Sequence, residues 1–301
     1  MMKDITDISV LIGENKDKMS KGQKKISQYV LNNYEKAAFM TAAALGKVVG
    51  VSESTVVRYA TLLGFAGYPE FQKSLEKMIH NKLSTISRIE IENCDEKDDD
   101  IYKNVFSLDI KKIKQLSDTI DKAVLDEAVD NIMNAENVYI IGLRNSSAVA
   151  SFLGFNLNMI RKNVKIITSC NESEIFEQMI HISKNDLLIG ISFPRYSMRT
   201  LKAMEFANDR TAKVMSITDN EHSPINLYSS CNLFAGTDMT SIMESLVAPM
   251  SLVNAVLVAL SIKNKQKVIE MYDGIDEIFE NYSVIGNDEM NMFDDMADID
   301  I

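Results

Sequence analysis

Residues 42–65, AAALGKVVGVSESTVVRYATLLGF, decide how this chain is read. Ala44, Leu45, Val48 and Val49 recur at helical spacing and offer one apolar face to a helix over 42–49. Gly50 supplies the backbone freedom of a tight interhelical turn, and Val51 packs between the two helices. Ser52 stands where a side-chain oxygen caps a second helix, whose first turn presents Glu53, Ser54 and Thr55. On that helix Val56, Val57, Ala60 and Leu63 fall on the inner face, leaving Ser54, Thr55, Arg58 and Tyr59 outward. The pattern is a helix-turn-helix, in which the start of the second helix meets base edges while flanking groups hold phosphates. The candidate DNA-contacting residues are Lys47, Ser52, Glu53, Ser54, Thr55, Arg58 and Tyr59, with Arg58 placed to read guanine. An ordinary helical hairpin with a polar outer face fits the same letters, so the surroundings must decide.

Charge supplies that decision. The chain carries a net charge of −11, which argues against nucleic acid until it is divided. Residues 1–83 hold 12 Lys/Arg against 8 Asp/Glu, a net +4, whereas 84–301 hold 20 against 35, a net −15. Positive charge lies where the helix-turn-helix lies, as a phosphate-contacting module requires. Lys18, Lys21, Lys24, Lys25, Lys36, Lys47 and Lys73 are the candidate phosphate partners, although any one of them also reads as a solvated lysine.

The length of 301 residues allows about two domains. An apolar fraction of 46% and a charged fraction of 25% fit a soluble globular protein. The longest apolar stretches, such as Val253–Leu260, are too short for a bilayer, and Lys3, Asp4 and Asp7 interrupt any secretory leader. Cys94, Cys170 and Cys231 are odd in number, far apart and without metal-ligand spacing. The expectation is a reduced, cytoplasmic protein with no metal, no cofactor and no membrane partner.

Outward from the helix-turn-helix, a helix over 20–31 precedes it, with Ile26, Tyr29, Val30 and Leu31 turned inward. After it, GFAGYPEFQKSLEKMI makes a bend, with Pro69 in the first turn of a further helix. An all-helical domain over 1–83 results. Residues 84–100, with Glu90, Glu92, Asp95, Glu96, Asp98, Asp99 and Asp100, read as an acidic linker. From Ile101 the pattern changes to helices alternating with short apolar strands: NVYIIG, VKIIT at 164–168, LLIGIS at 187–192, KVMSIT at 213–218 and the short CNLFAG. Helices are expected over 101–116, 122–134, 146–161, 172–182 and 241–263 and through MRTLKAMEFANDR. Such alternation implies a parallel sheet covered on both faces, over 101–265, with ligands bound outside the carboxyl ends of its strands. Residues 266–301 form a helical and acidic tail.

Two strand-to-helix junctions are rich in polar groups. Gly142-Leu-Arg144-Asn-Ser146-Ser147 offers free N–H groups, a helix dipole and a guanidinium, a cradle for an anion or simply a well-capped helix. Ser192-Phe-Pro-Arg195-Tyr196-Ser197-Met-Arg-Thr200 repeats the arrangement: Ser197 and Thr200 can cap, Arg195 can pair an anion, and Tyr196 can stack or donate a hydrogen bond. Thr218, Asp219 and Ser223 read first as turn formers. Ser241 and Glu244 are expected to open the last long helix, where Glu244 gains from the dipole.

Over residues 5–262 the chain resembles the RpiR/MurR-type bacterial transcriptional regulators. SKGQKKISQYVL from Ser20, VSESTVVR from Val51 and LGFAGYPEF from Leu63 carry the first half of the match. YIIG from Tyr139, LIGIS from Leu188, Ile217-Thr218-Asp219 and Ser223-Pro224 resemble a sugar isomerase (SIS) domain. The resemblance implies an all-α winged or extended helix-turn-helix DNA-binding domain, followed by a flavodoxin-like α/β domain whose five-stranded parallel sheet is flanked by helices. It also implies control of sugar-catabolism genes by a phosphosugar, and homodimers or homotetramers built through the SIS domain. One stretch departs from the pattern. SIS phosphosugar loops usually read S-x-S-G-x-T-x-E-T; here Ser192 and Thr200 are kept and Ser197 stands for Thr. Pro194, Arg195 and Arg199 replace the second Ser, the Gly and the Glu. Losing the glycine narrows the backbone's approach to a phosphate, while Arg195 adds charge. A phosphosugar, another anionic carbohydrate and an empty pocket all remain compatible with this loop.

Three functions follow. A regulator would bind double-stranded operator DNA as a dimer, at half-sites about one helical turn apart, and respond to an anionic carbohydrate held by Gly142, Arg144, Ser146, Ser147, Ser192, Arg195, Tyr196, Ser197, Thr200 and Glu244. A sugar-phosphate isomerase or lyase with a fused helical domain would need a positioned base, for which Glu172, Glu174, Glu244 and His222 are the candidates. A purely structural dimerisation module would use neither.

Overall fold

The computed structural model describes residues 8–78, 101–237 and 244–282. The expected acidic linker over 84–100, Ser241 and the acidic end of the chain lie outside the described residues.

The amino-terminal domain is a helical bundle of α1 (Ile8–Asn15), α2 (Lys21–Asn32), α3 (Tyr34–Ala38), α4 (Ala42–Val49), α5 (Glu53–Leu62) and α6 (68–78). Local chemistry sets the boundaries. Ser20 and Gln23 form a reciprocal capping box at the start of α2, and the Thr41 hydroxyl accepts the Ala44 N–H at the start of α4. Gly50 ends α4 in the left-handed region, at φ 74°, where a side chain would be strained. The Ser52 Oγ accepts the Thr55 N–H, as its position in the sequence predicts. Ile26, Val30, Leu45, Val56, Ala60, Phe71 and Leu75 close the core.

Two helices, α7 (Ile101–Thr119) and α8 (Lys122–Asn134), lead into the second domain. There β1 (Val138–Gly142), β2 (Val164–Ile167), β3 (Leu187–Ile191), β4 (Lys213–Thr218) and β5 (Cys231–Phe234) pair in parallel, in the order β2-β1-β3-β4-β5. β1 and β3 are buried along their whole lengths, which is why they read as unbroken apolar runs; the edge strands β2 and β5 are only partly covered. Successive side chains serve opposite faces. Val138, Ile140 and Ile189 join the core formed with α8, α9 (Ser146–Ile160) and α12 (Val247–Lys263). Tyr139, Ile141 and Leu188 join a core with α10 (Glu172–Gln178) and α11 (Met198–Asp209) that continues into the helical domain. A last helix, α13 (Lys265–Tyr282), packs on α9 and α12.

Several sequence-based expectations change. Leu31 and Val48 are exposed, because α2 and α4 bury narrower faces than their apolar letters suggest. The long helix begins at Val247 rather than 241, so Glu244 lies in the segment before it and does not sit in its first turn. The helix expected over 172–182 stops at Gln178, and His181 lies in the turn that follows. No single helix among the described residues is long and apolar enough to cross a membrane.

Candidate functional site

The first site is the exposed face of α5. Glu53, Ser54 and Arg58 project from it, and Thr55 is half-buried. The Ser52 Oγ lies 3.0 Å from the Ser54 Oγ and 2.8 Å from the Thr55 Oγ1, a hydroxyl cluster at the start of the helix. The Arg58 Nε donates to the Ser54 carbonyl at 3.2 Å, which folds the guanidinium along the same face. Together with Val57, the residues Glu53, Ser54 and Arg58 line a shallow surface groove. Lys47 is exposed in the last turn of α4, one element away. The turn between the helices is tight: a Cβ on Gly46 would stand 2.8 Å from the Val51 carbonyl.

Tyr59 does not belong to this face. It is 0% exposed, its hydroxyl accepts from the Ser27 Oγ at 3.0 Å, and its ring meets Phe71 edge-on at 5.7 Å. Burial pushes its pKa up to about 12. Val57 takes the outward place instead, exposed beside Arg58. The periodicity of α5 alone left the phase uncertain by one position; Ser27 and Phe71, from other elements, fix it.

The second site lies at the carboxyl edge of the sheet. The chain leaves β1 for β2 on one side and later returns to β3 on the other, so β1 and β3 flank the point where the winding reverses. Ligands of such sheets bind in that crevice. After β1, Gly142 lets the strand turn sharply into α9; a Cβ there would stand 2.6 Å from the Ser146 carbonyl. Arg144 is exposed at φ 59°, Ser146 is buried, and the Ser147 Oγ donates back to the Arg144 carbonyl at 2.6 Å. After β3, the Ser192 Oγ accepts the Ser197 N–H at 3.1 Å, closing the loop, and the Ser197 Oγ accepts the Thr200 N–H at the start of α11. Arg195 stands at φ 67°, in the left-handed region, at the position where SIS loops usually carry glycine. The Thr200 hydroxyl is 0% exposed and has no hydrogen-bond partner among the described residues.

Further groups join the two junctions. Thr218, at the end of β4, donates to the Ser192 carbonyl at 2.7 Å and lies 2.8 Å from the Ser223 Oγ. The Tyr196 hydroxyl donates to the Asp219 Oδ1 at 2.9 Å. Burial raises the Asp219 pKa despite donors from Tyr196, Thr218 and Asn220. Glu244 accepts from the Thr237 Oγ1 at 2.7 Å and from the Asn145 Nδ2 at 3.4 Å. Burial raises its pKa as well, opposed by those donors, reinforced by the charge of Asp219 and relieved by that of Arg195. Glu244 thus ties the β1 junction, through Asn145, to the charges of the β3 and β4 ends. Sequence reasoning missed Asn145 and Thr237. Asn145 stood within the polar run after β1; nothing local marked Thr237. Of the proposed bases, His222 is exposed beside Glu221, the Lys202 Nζ pairs with Glu172, and the Ser169 hydroxyl bonds Glu174.

Both domains have counterparts among known proteins. The model of the helix-turn-helix domain of the rpiR family matches residues 6–82, and that of the SIS domain matches residues 131–259. The chain belongs to the RpiR family. This RpiR-type transcriptional regulator is 26% identical over 204 residues to the HTH-type transcriptional regulator HexR of Pseudomonas aeruginosa, covering 67% of this chain and 70% of the relative. It is 24% identical over 219 residues to an uncharacterised HTH-type regulator of Clostridium perfringens, covering 72% of this chain and 77% of that one. Among solved structures, the sugar isomerase domain of an RpiR transcription factor from Sphaerobacter thermophilus superposes with a TM-score of 0.57 at 26% identity, over 59% of this chain and 99% of that chain. The NanR protein of Vibrio vulnificus, complexed with ManNAc-6P, shares the fold at a TM-score of 0.61 and 22% identity, over 92% of this chain and 99% of that chain.

Proposed function

We propose that this RpiR-type regulator binds operator DNA through α5 and Lys47, and that an anionic carbohydrate in the crevice between the β1 and β3 ends controls that binding. The observation that carries the reading is the repeated junction after β1 and β3: each places an arginine, Arg144 or Arg195, in the left-handed region, and the second also buries a Thr200 hydroxyl that has no partner among the described residues. Buried hydroxyls are normally paired, so an orphan at a ligand crevice suits a polar guest. The dipoles of α9 and α11, whose amino ends face the two junctions, favour negative charge, and the two guanidinium groups add to it. Asp219 and Glu244 supply acceptors for sugar hydroxyls. A phosphosugar satisfies all of these features, and ManNAc-6P, the compound held by NanR, is the first to try. Genes of sugar or amino-sugar metabolism are the corresponding targets, and the cytoplasm is the corresponding location.

The proposed assembly is a homodimer through the α/β domain. Tyr102, Val105, Phe106 and Ile110 of α7 are exposed on one side of that helix, an apolar stripe that a second copy would cover.

Calorimetric titration with ManNAc-6P, glucose 6-phosphate, fructose 6-phosphate and gluconate tests the pocket. The wild type is expected to bind a phosphorylated member of the set, and the double variant Arg144→Ala, Arg195→Ala to lose that binding. Equal binding by both would remove the arginines from the site. A second reading, a sugar-phosphate isomerase or lyase, is favoured by one feature: the half-buried Glu244 carboxylate, held by Thr237 and by Asn145 of the β1 junction, with its pKa raised by burial in the direction that suits a base. Turnover of any sugar phosphate that stops with Glu244→Gln would establish it; binding without turnover supports the regulator.

A further inference from the structure

The pocket loop touches the DNA-binding domain directly. Phe39, which ends α3, meets Tyr196 edge to face, with ring centroids 6.2 Å apart and planes at 83°. Each residue is only 8% exposed, so the contact is closed to solvent. α3 also lies against the 3-10 turn Pro224–Leu227 that follows β4. On the pocket side, Tyr196 is held by its bond to Asp219, and its neighbour Ser197 by the bond to Ser192. On the DNA side, the carbonyl of Met40, next to Phe39, accepts from the Tyr68 hydroxyl at 2.8 Å and the Gln72 Nε2 at 3.1 Å, both on α6. Phe71 of α6 packs edge-on against Tyr59 of α5. Packed rings and hydrogen bonds therefore run from the carboxyl edge of the sheet to the core of the recognition helix.

We propose that Tyr196 and Phe39 form a latch through which occupancy of the crevice sets the placement of the DNA-binding domain. The proposal rests on the effector reading above and names how it is transmitted: by direct contact, not only through the 84–100 segment. A ligand that engages the Ser192 hydroxyl, the Ser197 N–H or Asp219 competes with the bonds that fix Tyr196. Those bonds differ between the filled and empty states, and such a difference is what any ligand needs in order to shift an equilibrium. A close-packed ring pair resists small displacements and moves as a unit, so a small change in the loop carries to α3.

The test uses the full chain in two arms. Hydrogen exchange is compared between the wild type, Tyr196→Leu, Tyr196→Phe and Phe39→Leu, all of which keep a large apolar side chain. The latch predicts that Tyr196→Leu speeds amide exchange over 34–40, in the other domain, and that Phe39→Leu speeds it over 192–197. Tyr196→Phe, which keeps the ring and loses the Asp219 bond, gives a smaller effect. Exchange unchanged across the contact in both leucine variants overturns the proposal. In the second arm, ManNAc-6P and the other three compounds are titrated with and without an operator fragment from beside the gene. Couplings between sites are typically about 5–150-fold. Phe39→Leu, which lies outside the crevice, is expected to bind the active compound while its effect on operator affinity falls toward one. An undiminished effect in Phe39→Leu contradicts the latch. If no compound binds the wild type, the effector reading fails, and the exchange arm still decides whether the contact couples the domains.

Discussion

Arg144 and Arg195 hold left-handed backbone conformations at corresponding places after neighbouring strands. Such a conformation costs a residue with a Cβ about 1–2 kcal/mol, whereas a glycine in its place loses about 0.5–1 kcal/mol through chain entropy. Arg195→Gly should therefore leave the urea midpoint unchanged or raise it, while calorimetry shows weaker binding of whichever phosphorylated sugar the wild type takes. A stability loss with unchanged binding would show that Arg195 serves the fold. Asp219 gives a pH-dependent counterpart. Its folded pKa is raised, first by burial, so its contribution to stability is present below the ordinary carboxylate range and is lost as pH rises through the folded value. Asp219→Asn still accepts the Tyr196 bond but carries no charge. Urea unfolding of the variant should thus gain on the wild type as pH rises above the ordinary carboxylate range, and a flat difference would deny the burial penalty.

At the scale of elements, the proposed DNA contacts divide between base reading on α5 and phosphate holding by Lys47 on α4. Lys47→Ala should weaken binding to all DNA sequences alike and reduce the slope of log affinity against log salt by about one. Arg58→Ala should instead relax preference at one base position, by about 1–3 kcal/mol. Tyr59→Phe marks the inner face: operator affinity should hold, and stability should fall by about 1 kcal/mol as the Ser27 bond is lost. Much of this was legible in the letters. Gly50, Ser52 and Ser197 act through neighbours within a few residues, so their caps and turns could be read locally. The buried runs of β1 and β3 announced a covered parallel sheet in the same way. Tyr59 and Val57 were exchanged because Ser27 and Phe71, which decide the phase of α5, come from other helices. The link from Glu244 to Asn145 joins residues 99 apart, and the contact of Phe39 with Tyr196 joins two domains; no periodicity encodes either.

Across the whole molecule, a basic helical domain and an acidic α/β domain share one apolar core, so the two sites are joined by packing as well as by chain. The exposed stripe on α7 extends this logic to a second copy. Sedimentation should show a wild-type dimer, and Phe106→Glu should shift it toward monomer; a monomeric wild type would remove α7 from the account. The central claim is that carbohydrate occupancy controls DNA binding. Its most direct test is a titration of fluorescent genomic fragments from beside the gene, at controlled salt, with and without ManNAc-6P, glucose 6-phosphate, fructose 6-phosphate and gluconate. The account predicts tight, salt-sensitive binding to one fragment, shifted severalfold by a phosphorylated sugar. Binding that no compound shifts, or no specific binding together with sugar-phosphate turnover, would contradict it.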